Sequence, residues 1–224
     1  MKLKQKFFPW IVLGAGGVGS LLCLLASTLT PDDRGLLPAE HPTSIIICML
    51  IAAVLAFLVY ILRDVQGELS YKKAFPVNIF SLAGYLGAIV GIVSTSVLVL
   101  MEEPTPLSIA AGVTGLLAAV CMGLAGYFRY RKLRPHYLLH AAVTIHLLLL
   151  LIYRFQAWNT QPQLQLYFTQ MMATLMLLLP FYHRTAFDAN IGNRRDYTFF
   201  TMAAAFFCCL SFNSFHKVFY CGMF

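Results

Sequence analysis

The sequence predicts an all-α membrane protein, a polytopic bundle of seven transmembrane helices with a cytoplasmic N-terminus and a C-terminus outside. Of its 224 residues, 59% are hydrophobic and only 11% are charged. A soluble domain carries about 25% charged residues, because it has to coat a water-facing surface. The mean hydropathy of +0.74 agrees with this reading. We therefore expect one integral domain over residues 1–224, located in the cytoplasmic membrane of the cell.

Seven apolar segments have the length of about 20 residues that a membrane-spanning helix needs. They are Phe7–Leu29, Ser44–Leu62, Val77–Leu100, Pro106–Phe128, Pro135–Tyr153, Gln163–Tyr182 and Tyr197–Phe219, and prolines mark most of the breaks between them. The first segment follows three lysines, as a signal peptide would. Its apolar run is longer than the roughly 7–15 residues of a signal-peptide core, so we expect it to be retained.

The positions of the basic residues predict the orientation. Lys and Arg concentrate in cytoplasmic loops. Here they cluster at the N-terminus and in every second loop, which leaves only Arg34, Arg154 and Lys217 on the opposite side. The net charge of +7 is therefore mainly a topology signal, with contacts to anionic lipid headgroups. We expect the lipid bilayer as a partner and no nucleic acid.

Small residues form ridges on three of the predicted helices. Residues 11–20 read IVLGAGGVGS, which matches the dinucleotide pattern GxGxxG, but no βαβ unit follows. In a membrane helix such glycines let a second helix approach closely. The other ridges are Gly84, Gly87 and Gly91 in the third helix and Gly112, Gly115, Ala119 and Gly123 in the fourth. The short connection between these two helices predicts antiparallel neighbours. A glycine ridge is also a candidate contact for a homo-oligomer or another membrane protein.

Two histidines at the start of the fifth helix form a candidate metal site. His136 and His140 are four residues apart and share a helix face, as the zinc-binding histidines of HExxH do. The glutamate of that motif is missing, since Tyr137 follows His136. The third ligand has to come from elsewhere, and His183 or Asp188 follows the same end of the next helix. This hypothesis implies zinc held by His136, His140 and His183. The alternative is a hydrogen-bonded or interfacial pair, without a cofactor.

A second group of polar residues lies deeper in the predicted spans. His146 falls near the middle of the fifth helix, where a polar side chain is costly unless it has a partner. Gln170 in the next, antiparallel helix is a candidate partner. The same stripe continues in Thr174, and Asn213 adds a polar residue in the seventh helix. These residues predict a polar path among helices five to seven, or else hydrogen bonds that hold those helices together.

The sequence favours a solute- or ion-handling protein, transport- or channel-like, that uses this path. The lack of an acidic residue inside any predicted span weighs against it, because many proton- or sodium-coupled carriers use one. Two alternatives stay open. One is a membrane-embedded metal-dependent hydrolase built on the histidine pair. The other is a non-catalytic accessory or assembly protein that contacts its partner through a glycine ridge. The hydrolase ranks second and the accessory role third, and on balance the sequence favours a protein that is not an enzyme.

Overall fold

The computed structural model describes residues 2–29, 42–63, 78–102, 105–158, 164–189 and 191–221. Within these ranges the chain forms seven α-helices and no β-strand, which confirms the all-helical prediction. The helices are α1 (Lys2–Leu29), α2 (Pro42–Leu62), α3 (Ile79–Met101), α4 (Pro106–Tyr130), α5 (Tyr137–Trp158), α6 (Leu164–Asp188) and α7 (Arg194–Cys221).

Five of these helices are long and apolar enough to cross a membrane. The suitable segments are Phe8–Leu25, Ile45–Leu62, Ile79–Met101, Pro106–Tyr130 and Tyr137–Gln156. Large apolar side chains on their outer faces are exposed, for example Leu86 and Val90 of α3. Apolar surface of this extent is typical of protein that contacts lipid rather than water. The architecture is therefore that of a helical membrane bundle.

The sixth helix is longer than the sequence predicts. It continues past Tyr182 to Asp188, through residues that read as a polar turn. Thr185 supports the continuation, because its hydroxyl donates 2.9 Å to the carbonyl of Phe181 within the helix. The helix ends where Ile191 N–H donates to the carbonyl of Ala186. Gly192 follows, and its backbone lies so close to Phe187 that an added Cβ would overlap the Phe187 ring.

The chain divides into two compact units. Unit 1 comprises Met1–Val65, Trp158–Met176 and Phe199–Phe224. Unit 2 comprises Gln66–Ala157 and Leu177–Thr198. Helices α6 and α7 therefore each contribute one part to unit 1 and another to unit 2.

Unit 1 has an apolar core in which α1 packs closely on α7. Its buried members are Phe8, Val12, Val54, Leu58, Ala173, Ala203, Phe206, Phe207 and Leu210. A Cβ at Gly16 would lie 2.8 Å from the Cβ of Cys209, and one at Gly19 would lie 2.6 Å from Leu210. Since real Cβ atoms do not approach this closely, the glycines are needed for the contact. Two glycines of the GxGxxG pattern thus serve helix packing.

Unit 2 is built on the pair α3 and α4, which run antiparallel as predicted. Along the pair, Gly112 faces Leu100, Gly115 faces Ser96 and Gly126 faces Tyr85. A capping box of Thr105 and Ser108, with Pro106 at the first helical position, begins α4 directly after the short connection. The α5 residues Val143, Leu147 and Leu150 complete the buried apolar core.

Candidate functional site

Three polar side chains meet in the interior of unit 2. The Nδ1 atom of His140 lies 2.6 Å from Oδ2 of Asp188, and its Nε2 atom lies 3.2 Å from the hydroxyl of Tyr85. The imidazole is 1% exposed and the Asp188 side chain is 0% exposed. We refer to these residues, which belong to α3, α5 and α6, as the Tyr85–His140–Asp188 relay.

Local structure explains how three distant parts of the chain reach one point. Tyr85 packs against Gly126 of α4 at van der Waals distance. His140 is in the first turn of α5, just after the α4–α5 connection. Arg134 in this connection donates hydrogen bonds to the main-chain carbonyls of Phe187 and Asp188. Carbonyls at a helix C-terminus lack partners within the helix, so an arginine there stabilises the end of α6.

An arginine side chain approaches the other oxygen of the Asp188 carboxylate. The Nε atom of Arg184, one turn earlier on α6, is 3.9 Å from Oδ1 of Asp188. Both side chains are buried. A buried carboxylate is costly unless charges and hydrogen bonds compensate it. Here Asp188 has the His140 imidazole at one oxygen and the Arg184 side chain near the other.

This geometry can hold and pass on a proton. With Asp188 ionised, Nδ1 of His140 carries a hydrogen and donates it to the carboxylate. Nε2 of the neutral ring then accepts from the Tyr85 hydroxyl. When the ring takes up a second proton, Asp188 stabilises the imidazolium.

The residues of the predicted metal site are not brought together as a set of ligands. His136 is exposed, its ring lies 4.4 Å from that of Tyr137, and its Nδ1 accepts from Leu138 N–H. His183 contacts the Tyr182 ring edge-on at 5.5 Å. In the described ranges, no three His, Cys, Asp or Glu side chains lie where they could share a metal ion. Of the predicted ligands, only His140 and Asp188 are in contact.

His146 lies deeper in unit 2 and is 1% exposed. Its Nδ1 is 3.2 Å from the main-chain carbonyl of Ala111 in α4, so its partner is a helix backbone. Its Nε2 has no hydrogen-bond partner in the part of the chain that the structure describes. The imidazole lies against Gly115, where the hydroxyl of Ser96 also approaches.

The other residues of the predicted polar path belong to unit 1. Gln170 and Thr174 are buried, and the Thr174 hydroxyl donates 2.9 Å to the main-chain carbonyl of Gln170. Asn213 lies in α7 at a position whose side chain is outside the described residues. A path that joins these residues to His146 therefore stays a prediction.

Sequence reasoning missed Tyr85, Arg134 and Ser96. Tyr85 is the only tyrosine in the predicted third span, which is the one signal that it has a polar partner. The sequence offers Asp188 solely as a metal ligand that follows the sixth helix. Its spacing of four residues from Arg184 indicates a helical ion pair, and the longer α6 bears this out.

Helix α5 thus carries polar contacts at three levels of unit 2. His140 lies at one end, His146 lies about 9 Å further along the helix axis, and Tyr153 lies beyond it. The Tyr153 hydroxyl donates to the carboxylate of Glu102, which ends α3.

No protein-family model, curated protein or solved structure matches this chain.

Proposed function

We propose that the chain is a multi-pass membrane transporter in which the Tyr85–His140–Asp188 relay takes up and releases a proton. In this proposal all seven helices span the cytoplasmic membrane, the N-terminus is cytoplasmic and the C-terminus is outside. The relay then lies at the cytoplasmic end of unit 2, beside the basic α4–α5 connection that includes Arg131, Lys132 and Arg134.

The contact of 2.6 Å between His140 and Asp188 carries the proposal. A buried ion pair contributes little net stability, because desolvation of both charges offsets their attraction. Ionisable groups buried in a membrane bundle instead tend to mark proton relays and solute pathways. The continuation of α6 to Asp188 also supplies a buried carboxylate, which the predicted spans lacked.

Proton uptake offers a physical basis for coupling to a solute. A neutral His140 accepts from Tyr85 through Nε2, whereas the imidazolium donates to the tyrosine oxygen through the same atom. The charge on the relay changes as well, and with it the attraction between α5 and α6. Protonation of His140 thus favours one arrangement of α3, α5 and α6 over another. A solute that binds one of these arrangements more tightly has its binding coupled to the protonation of His140. His146 is the next buried polar side chain along α5.

The test is proton flux into liposomes that contain the purified protein and a pH-sensitive dye. A potassium gradient with valinomycin sets the driving voltage. We expect His140→Gln and Asp188→Asn to lower the protein-dependent flux by about tenfold or more, as for loss of a proton-transfer group. His136→Gln is the matched control, since it removes an exposed histidine one turn earlier and should leave the flux unchanged. Equal flux in wild type and Asp188→Asn would refute the proposal, as would wild-type liposomes no leakier than empty ones.

An assembly role is the second candidate, and one observation favours it. In the third helix, a Cβ added at Gly84, Gly87 or Gly91 would meet no atom of the described residues within 4 Å. This ridge is therefore open to a helix of another chain, and small residues are what such a contact needs. A Gly87→Cys variant should form a disulfide or a bifunctional cross-link with that partner in membranes. Recovery of the variant solely as an uncross-linked chain would argue against this role.

A further inference from the structure

We propose that His146 is the point inside unit 2 where the transported solute binds, and that this solute is a small uncharged hydrogen-bond donor. The inference rests on the proposed transport function and names the substrate class. Water, ammonia and urea belong to that class. The argument depends on the ring nitrogens of His146, on Ser96 and on the apolar side chains around them.

The contact with Ala111 determines which ring nitrogen is free. A main-chain carbonyl can only accept a hydrogen bond, so Nδ1 of His146 must be the atom that carries the hydrogen. In the neutral ring this leaves a lone pair on Nε2. The Nε2 atom is buried and has no hydrogen-bond partner within the described ranges. An acceptor that has lost its hydrogen bond to water regains stability when a donor reaches it.

A second acceptor lies beside the imidazole. Helices α3, α4 and α5 meet at Gly115, where an added Cβ would overlap Ser96 Oγ and lie 2.6 Å from Cε1 of His146. The Ser96 hydroxyl is buried and donates 2.6 Å to the carbonyl of Ile92. Its hydrogen is thus used, and its oxygen is left to accept. Ser96 Oγ is thus a second acceptor near the ring, on the side of Cε1 and Nδ1. The unpartnered Nε2 atom is the acceptor on which the inference depends.

The apolar surroundings favour an uncharged ligand. The neighbours of His146 on α5 in the core, Val143, Leu147 and Leu150, are apolar. An ion that bound among them would lose its hydration, which costs far more than the burial of a neutral polar molecule. An anion would be repelled by the lone pairs of Nε2 and Ser96 Oγ. A neutral donor avoids both costs.

The first experiment measures water and urea permeability of liposomes by stopped-flow light scattering. Relative to empty liposomes, we expect the wild type to raise both permeabilities. His146→Leu should reduce the protein-dependent part of both permeabilities by about tenfold, the factor that corresponds to the free energy of one buried hydrogen bond. His146→Gln, which keeps an acceptor, should restore part of it, and His136→Gln should have no effect. Ser96→Ala removes only a hydroxyl group, so it changes the packing less than His146→Leu does and should leave the protein folded. Permeabilities that are equal in wild type, His146→Leu and Ser96→Ala would overturn the inference.

The second experiment detects binding without transport. In ¹⁵N-histidine-labelled protein in bilayers, solid-state NMR should show His146 protonated at Nδ1, and added urea should shift its Nε2 resonance. Normal proton flux without that shift would overturn this inference alone. The shift in a protein without proton flux would overturn the proposed proton relay alone. A His140→Gln variant should lose flux and keep the shift.

Discussion

His140 and Asp188, 48 residues apart in the chain, are joined by a hydrogen bond of 2.6 Å between Nδ1 and Oδ2. Both side chains are at most 1% exposed. The contact connects the first turn of α5 to the last turn of α6, so it is structural as well as a candidate proton site. Because both partners are desolvated, removal of one leaves the other buried without compensation.

A double-mutant cycle should measure this coupling. Each of His140→Gln and Asp188→Asn is expected to lower the free energy of unfolding by about 3 kcal/mol, the usual scale for one broken partner of a buried pair. The double variant should lose less than the sum of the two, with an interaction energy of about 2 kcal/mol. Unfolding in detergent, followed by circular dichroism, gives these values. Additive losses would show that the two side chains do not interact.

The close packing at Gly115 predicts a steric effect. Gly115→Ala places a methyl group into Ser96 Oγ and the His146 ring, which should cost about 1–3 kcal/mol of unfolding free energy. Gly87→Ala is the matched control, because within the described part of the chain its added Cβ meets nothing closer than 4 Å. The control should be neutral or slightly stabilising. The same unfolding assay compares them, and equal stability of the two variants would contradict the α3–α4–α5 contact.

Arg134 should stabilise unit 2 through the end of α6. Arg134→Ala removes its hydrogen bonds to the carbonyls of Phe187 and Asp188, and we expect a loss of about 1–2 kcal/mol. Hydrogen exchange of the amides near Asp188 should also become faster. Arg131→Ala is the control, since Arg131 is exposed and contacts the side chain of Tyr127. Unchanged exchange in Arg134→Ala would exclude a role for this cap.

The proposed orientation can be checked by labelling from one side of the membrane. In a variant without native cysteines, Lys132→Cys should react with an impermeant maleimide only after the cells are opened. Gln156→Cys, at the far end of α5, should react in intact cells. The expected difference follows from the distribution of Lys and Arg. The reverse pattern would invert the proposed topology and place the relay outside.

Some features of this protein follow from the sequence by itself. The length of the apolar segments and the small number of charged residues determine that the chain is a helical membrane protein, because unpaired backbone groups and exposed charges are unstable in lipid. The short link between the third and fourth spans determines that they are antiparallel neighbours. The predicted glycine ridge of the fourth span does contact the third, for example at Gly112 against Leu100. The predicted ridge of the third span does not, because a Cβ at Gly84, Gly87 or Gly91 would meet no described atom within 4 Å.

Only the tertiary structure decided the partners of the buried polar groups. His140 finds Tyr85 at a separation of 55 residues, and nothing near Tyr85 in the sequence indicates that contact. His146 pairs with a backbone carbonyl, which every residue possesses and which therefore leaves no sequence signal. Asp188 becomes a partner because α6 continues past a stretch that reads as a turn. Local pattern determines helices one at a time, whereas the contacts of a buried side chain depend on how several helices pack together.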